Sequence, residues 1–267
     1  MTRGIVLFAF NSPDYNYYEM AEFTAKRANY FLDLPVTIVT DKNSVPKKPK
    51  YKFDNTILVD SDANNTIHGK VWINKGRYRA YELSPYDETI LLDADYVINS
   101  KRLLDVFKVM DDFAVHEDIT YLMSDHGKKE YLSENSLPTL WATVVAFKKT
   151  NRVKQIFDCL KMVQENYIHY ANIHNFPTDT YRNDFGLTLA WRMVNGHFHV
   201  QSDIIPWNLM HIGLRTQIYH NSNKKFNTAY TVIFDRWKNH KIKKEYINIK
   251  DMDFHVINKD IFVELIK

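Results

Sequence analysis

The chain has 267 residues, 45% of them hydrophobic and 14% aromatic, which is enough for a substantial buried core and excludes a disordered chain. A single cysteine, Cys159, excludes an internal disulfide and fits a reducing compartment, and its neighbours Ile156, Phe157 and Leu160 mark it as a core thiol. No stretch approaches the roughly 18 apolar residues needed to span a bilayer, so a soluble cytoplasmic protein with no membrane contact is expected.

Residues 4–10 form a continuous apolar run, the pattern of a strand buried on both faces. Asn11-Ser12-Pro13-Asp14 reads as an N-cap with proline in the first turn of a helix over residues 14–32. Tyr17, Ala21, Ala25, Ala28 and Phe31 lie on one face of that helix. Leu34-Pro35 stops it, and Val36 to Val39 is a second strand, closed by Thr40-Asp41. This β-α-β unit implies a parallel pair with a right-handed crossover. A lysine-rich loop precedes a third strand over residues 56–59. A helix near residues 75–83 then turns at Ser84-Pro85 into a short strand, Ile90 to Leu92, which delivers Asp93-Ala94-Asp95.

Beyond Ser100 the pattern predicts a helix over 103–110, strand-like pieces at 113–115 and 121–123, and a strand over 143–147. An amphipathic helix follows from Asn151 to about Tyr167, its stripe made by Val153, Ile156, Phe157, Leu160 and Val163. Asp184 reads as the N-cap of a helix over 185–194, closed by Asn195-Gly196. The last 65 residues, rich in Asn, Lys, His and aromatics, read as short strands and loops wrapping over a nucleotide edge. The alternation predicts one α/β domain: an open, mainly parallel twisted sheet flanked by helices, with a short irregular C-terminal segment over the ligand. It divides into a nucleotide-binding half (1–100), an acceptor half (101–200) and a closing segment (201–267). Ligands of such sheets sit beyond the strand C-termini, where Asn11, Asp41, Asp60 and Asp93 fall.

Asp-x-Asp occurs three times: Asp60-Ser61-Asp62, Asp93-Ala94-Asp95 and Asp251-Met252-Asp253. Only after the middle one does the chain resume an apolar extended pattern, at Tyr96-Val97-Ile98. Two acids at a break in a buried strand are costly unless used or paired. As i and i+2 residues they share a face and can hold Mg²⁺ or Mn²⁺ through hard oxygen ligands. His197-Phe198-His199 has same-face spacing for an edge strand, either as exposed polar positions or as a metal pair. Basic residues gather at 236–244, where Arg236, Lys238, Lys241, Lys243 and Lys244 occur without an acid; such a run is a solvated face or a nucleic-acid contact, with Trp237 and His240 placed to stack on a base.

The run from Lys75-Gly76-Arg77 to Asp93-Ala94-Asp95-Tyr96-Val97-Ile98 resembles the metal-binding core of the GT-A glycosyltransferases, especially the glycogenin-like family 8 retaining enzymes. In those, a helix with a basic residue leads through a tyrosine-containing turn to a strand ending in Asp-Ala-Asp. The order of elements over residues 4–200 is similar too, and the chain is also similar to glycosyltransferases encoded by T4-like phages. The resemblance implies a GT-A fold and transfer of a sugar from a nucleoside-diphosphate donor, a UDP-sugar, to an acceptor hydroxyl. It implies that Asp93 and Asp95 face the metal, with His255 as third ligand tilting the choice from Mg²⁺ to Mn²⁺. It further implies that Arg77 and Lys259 face the donor diphosphate, that Phe10, Asn11 and Tyr15 hold the nucleoside with Asp41 and Ala94 beside it, and that Asp184 is the acidic residue before the late helix. Two departures from the family stand out: its acidic-glutamine pair is here Asp184-Phe185, and its C-terminal His-x-x-Gly-x-x-Lys is here His255-Val256-Ile257-Asn258-Lys259.

In such a reaction, charge builds on the leaving diphosphate, and a divalent ion with a nearby lysine or arginine stabilises it. The basic run at 236–244 extends the expectation to a DNA acceptor bearing hydroxymethylated bases; a glycan or protein acceptor is the alternative. Other classes fit less of the chain. A nucleotidyltransferase needs a Gly-rich loop where Asn11-Ser12-Pro13-Asp14 stands, and a phosphohydrolase needs Thr or Ser after Asp-x-Asp where Tyr96-Val97 stands. A non-catalytic nucleic-acid-binding module leaves the buried acids unexplained.

Overall fold

The computed structural model describes residues 1–60, 66–67, 70–71, 75–122, 127–134, 136–176, 181–213, 216–222, 226–238 and 241–267. Ser61 and Asp62 of the first Asp-x-Asp, together with His240, lie outside these residues, as do the side chains of Trp237 and Lys238.

Six strands make the central sheet in the order Asn55–Leu58, Val36–Thr40, Arg3–Phe8, Glu88–Leu92, Trp141–Lys148, Phe113–His116. Ile5 stands opposite Val36 on one side and Ile90 on the other, in parallel register. Trp141–Lys148 runs against the other five. Val36–Thr40 and Glu88–Leu92 are buried along their whole length, which is why apolar residues fall on both faces of each rather than alternating. Alternate residues feed two cores: Ile5, Leu7, Ile38 and Ile90 point to one face, and Val6, Phe8, Val39 and Leu91 to the other. The parallel strands therefore end along one edge, just before Asp41 and Asp93.

The first helix is Tyr17–Leu32 and buries Ala21, Ala25 and Ala28, as the sequence predicts. Its cap is Asn16, whose Oδ1 accepts from the Glu19 N–H at 3.1 Å, so Pro13 lies in the preceding loop and not in the first turn. The amphipathic helix is Asn151–Glu165; it buries its full apolar stripe, with Cys159 half-buried beside it, and a separate helix Tyr167–His174 follows. The late helix, Asn183–Val194, begins before Asp184, which therefore sits in its first turn and caps nothing. His197 and His199 are not in a strand: His199 Nε2 lies 3.1 Å from Glu117, with its ring against Trp191.

The C-terminal region is more regular than its composition suggests. A second sheet runs Gly127–Lys129, Asp118–Tyr121, Leu209–Ile212, Phe254–Val256, Tyr96–Val97. A third joins Thr216–His220 to the ten-residue strands Ala229–Lys238 and Lys241–Lys250. Lys241–Lys250 buries only Ile249, so it carries no apolar alternation to betray a strand. Lys259–Ile266 closes the chain as a helix, with Asn258 Oδ1 accepting from the Asp260 N–H.

Candidate active site

After Leu92 the backbone leaves the central sheet, and its polar groups need partners away from water. Asp93 N–H donates to Thr143 O at 3.0 Å, and Tyr96 N–H turns back to Asp93 O at 3.3 Å. The carbonyls of Ala94 and Tyr96 share the hydroxyl of Thr24, at 2.7 and 3.0 Å. Arg27 Nε donates to Ile98 O at 2.6 Å, and the same guanidinium reaches Asn99 Oδ1 and Asn227 O. Two polar residues buried on an otherwise apolar helix face thus hold the Asp93–Asn99 turn in place.

A second irregularity shapes the opposite wall. The register of Trp141–Lys148 against Phe113–His116 shifts between Trp141 and Val145. Such a bulge frees backbone groups and re-aims side chains. Ala142 N–H donates to Asp184 Oδ1 at 2.8 Å, and Ala142 O accepts from Arg77 at 2.5 Å. Asp184 is thereby fixed by a strand rather than by its own helix, with Arg182 on its other oxygen at 3.0 Å. Arg77 is buried and also pairs with Asp93 Oδ1.

From the other side the tail returns. His255 lies on the strand Phe254–Val256, between Tyr96 of one neighbour and His211 of the other. Val256 N–H donates to Asp95 O at 3.2 Å, so the returning strand grips the backbone of the acidic residue it faces. His255 Nε2 stands 3.2 Å from Asp95 Oδ1 and 3.8 Å from Asp93 Oδ2, and Lys259 Nζ pairs with Asp95 Oδ2. One ligand atom each from Asp93, Asp95 and His255 fall within 4.8 Å of one another. Two carboxylates and one imidazole make a donor set that fits Mn²⁺ or a similar divalent cation. The Asp93 side chain is 20% exposed and that of Asp95 only 5%, so Asp93 is the outer carboxylate and Asp95 the inner.

Burial alone raises the pKa of Asp95, but the Lys259 ammonium and the His255 imidazole outweigh it and hold the carboxyl well below its usual range. Lys259 moves the other way: burial lowers it, and Asp95 more than compensates, so it stays charged. His211 is pushed down to about 2, first by burial and then by His255 and His116, and burial takes His116 down to about 4.

Asp95, His255, Lys259 and His211 line a cavity of about 910 Å³, within the range of small-molecule sites. Arg77, Asp93, Ala94, Asp95, Asp184, His255 and Lys259 all reach its wall. Phe10, Asn11, Tyr15 and Asp41 do not line it. Asn11 and Asp41 instead tie two strand ends together through Ser44: Ser44 N–H donates to Asp41 Oδ1 at 2.7 Å, and Asn11 N–H donates to Ser44 Oγ at 2.7 Å. Tyr15 donates its hydroxyl to Asp260 at 3.1 Å, while Tyr17, two residues on, faces the cavity. Arg182, His211, Glu130 and Asp235 also line the wall and are missed by sequence reasoning, because each comes from a separate segment with no motif of its own; Trp141 lines it from the strand Trp141–Lys148.

No protein-family profile matches the chain, and no curated protein matches it. Among solved structures it is similar to the glycosyltransferase GlyE of Streptococcus pneumoniae TIGR4, at 13% identity and a TM-score of 0.43 over 72% of this chain. It is also similar to the galactosyltransferase LgtC, solved with donor and acceptor sugar analogs, at 13% identity and a TM-score of 0.46 over 70% of this chain. Both are glycosyltransferases. The chain spans 44% of GlyE and 69% of LgtC. At this level of likeness, function has to be argued from the residues of the cavity itself.

Proposed function

We propose that this protein is a metal-dependent glycosyltransferase that moves a sugar from a nucleoside-diphosphate donor, a UDP-sugar, to an acceptor hydroxyl. The observation that carries this reading is the cluster of Asp93, Asp95 and His255 within 4.8 Å at the wall of a cavity of about 910 Å³. A divalent ion bound there, Mn²⁺ in preference to Mg²⁺, supplies Lewis-acid stabilisation of the leaving diphosphate. The Lys259 ammonium, on the inner carboxylate, is placed to share that task. Arg77 acts from behind by holding Asp93 rather than by touching the donor. Asp184 and Arg182, anchored on the bulge, face the same space and suit recognition of sugar hydroxyls.

The finer reading concerns the acceptor. Beyond Phe234, the last residue paired with Thr216–His220, the ten-residue strands continue as a two-stranded arm. Lys241, Lys243 and Lys244 are exposed on it, Arg236 pairs with Glu245, and Asp235 at its base lines the cavity. A basic β-ribbon beside the active site fits a DNA acceptor, and a hydroxymethylated base provides the hydroxyl.

The test is to incubate the protein with UDP-, GDP- and other nucleotide-sugars, with and without Mn²⁺, and to follow nucleoside-diphosphate release. Labelled donor is then offered with hydroxymethylcytosine-containing DNA, unmodified DNA and oligosaccharides at low and moderate salt. We expect Mn²⁺-dependent release, with transfer to the hydroxymethylated DNA that falls steeply with salt. No release from any donor defeats the enzyme assignment; release with transfer only to oligosaccharide defeats the acceptor alone.

A further inference from the structure

His211 is fully buried behind His255, its ring otherwise set among aromatic side chains. Its Nδ1 lies 3.3 Å from Nδ1 of His255, the two rings crossing at 80°. Its other edge is enclosed by Trp141 and Tyr121, at ring-centre distances of 4.8 and 5.7 Å, and Nε2 has no hydrogen-bond partner. A polar ring in so apolar a pocket is expensive unless one of its nitrogens has a task.

The tautomers follow from connectivity. A nitrogen that coordinates a cation must present its lone pair, and the nitrogen of His255 that faces Asp93 and Asp95 is Nε2. The ring proton of His255 must then sit on Nδ1. Among the described residues, the acceptor in reach of Nδ1 is His211 Nδ1. Two neutral imidazoles meeting edge to edge share one proton between them, so His211 accepts at Nδ1 and carries its own proton at Nε2.

We infer that His211 is a positioning residue for the cation site, holding His255 in the tautomer and orientation that leaves Nε2 free to bind metal. The inference rests on the metal reading above. Metal-binding histidines usually hand their second N–H to a carboxylate or a carbonyl. A neutral imidazole adds no negative charge and makes the ligand less basic, which suits a cation that enters and leaves with a diphosphate. When His255 donates from Nε2 to Asp95 instead, the shared edge needs its proton from His211 Nδ1. Cation binding therefore reverses the tautomer of a ring that never touches the cation.

The experiment uses the full chain and Mn²⁺ alone. Free Mn²⁺ is followed by electron paramagnetic resonance for wild type, His211→Phe and His211→Gln, each checked for folding by circular dichroism. We expect His211→Phe, which keeps a ring without an acceptor, to weaken Mn²⁺ binding by about 10- to 100-fold. We expect His211→Gln, which restores an acceptor oxygen without a ring, to recover most of that loss. The reverse ranking means that His211 only fills space and overturns the inference. If a variant does not fold, long-range ¹⁵N–¹H spectra of folded wild type loaded with Mg²⁺ decide. A proton on His211 Nε2 supports the assignment, and a proton on Nδ1 overturns it. Wild type that takes up no Mn²⁺ defeats the metal reading itself, an outcome distinct from uptake that is equal in wild type and His211→Phe.

Discussion

The segment Glu88 to Asn99 and the returning tail Phe254 to Lys259 meet side by side at the wall of the cavity, and they are held by different means. The first is an extension of the central sheet. Its acids stand where a fully buried parallel strand ends, and its backbone is pinned from outside by Thr24, Arg27 and Thr143. The second belongs to a small sheet of two- to four-residue strands, and its position depends on pairing with Tyr96–Val97 and Leu209–Ile212. One side contributes negative charge on a rigid frame. The other contributes an imidazole and an ammonium on a frame that contact with the first side helps to complete. The difference teaches that the acids can exist as a geometry without the tail, whereas the tail is placed largely by what it meets.

Asp95→Asn breaks this comparison most severely. The carboxylate is the inner one of the pair and faces both His255 and Lys259, so its neutral isostere should lose metal affinity and the docking of Lys259 together. Mn²⁺ binding is expected to fall by more than about 100-fold, beyond the range for losing an outer-sphere partner. Calorimetric titration of the folded variant measures this directly, and retained affinity rules out Asp95 as a ligand.

Lys259→Met sharpens the comparison by giving two effects of opposite sign. In the structure the ammonium occupies Asp95 Oδ2, the oxygen that a cation also needs. Removing it frees that oxygen, so Mn²⁺ should bind more tightly, by about tenfold or less, since the interaction lost is partly exposed to solvent. Donor turnover should fall by about 100-fold, because a positive charge near the leaving diphosphate is gone. Weaker Mn²⁺ binding in this variant places the lysine in a purely structural role.

Much of the first region was legible in the sequence, and little of the second. The strand runs at residues 4–10, 36–39 and 90–92 are largely apolar because both their faces are covered, and the lack of alternation reads that directly. Asp93 and Asp95 stood out as charge inside such a run. His255 and Lys259 were located only through resemblance to a family, since nothing local ties them to acids some 160 residues earlier. His211 and Arg182 could not be seen at all: a buried histidine in an apolar strand looks like ordinary core. Thr24 and Arg27 were hidden in a different way, as polar residues on a helix whose neighbours announce a buried face. The bulge at Ala142, which sets Asp184, leaves no mark in a run of β-forming residues.

The smallest expected effect concerns the joint between the two regions. Asp253 Oδ1 accepts from the Asn99 N–H at 2.6 Å, and Asn99 Nδ2 donates to Met252 O at 2.6 Å. Burial raises the Asp253 carboxyl to about 6, against the pull of its hydrogen bonds. Its folded pKa thus lies above the ordinary value near 3.9, so the folded protein holds this proton more tightly than the unfolded chain. Stability from this group is therefore fully present below about pH 4, falls as pH rises to about 6, and stays reduced above that. His116, lowered to about 4, and His211, lowered further, have the opposite sign: they cost stability as pH falls below about 6.5. The net slope of wild type mixes these terms, and only a difference between variants isolates one. Asp253→Asn keeps the acceptor for Asn99 and removes the charge. Its advantage over wild type should be near zero at pH 4 and grow to about 1–2 kcal/mol above pH 6, less than the full shift implies because buried carboxyls relax. Urea melts of both proteins at pH 4, 5, 6 and 7.5 measure that difference. An advantage that does not change with pH would mean that Asp253 is ionised throughout and that the joint is held by charge rather than by a buried neutral hydrogen bond.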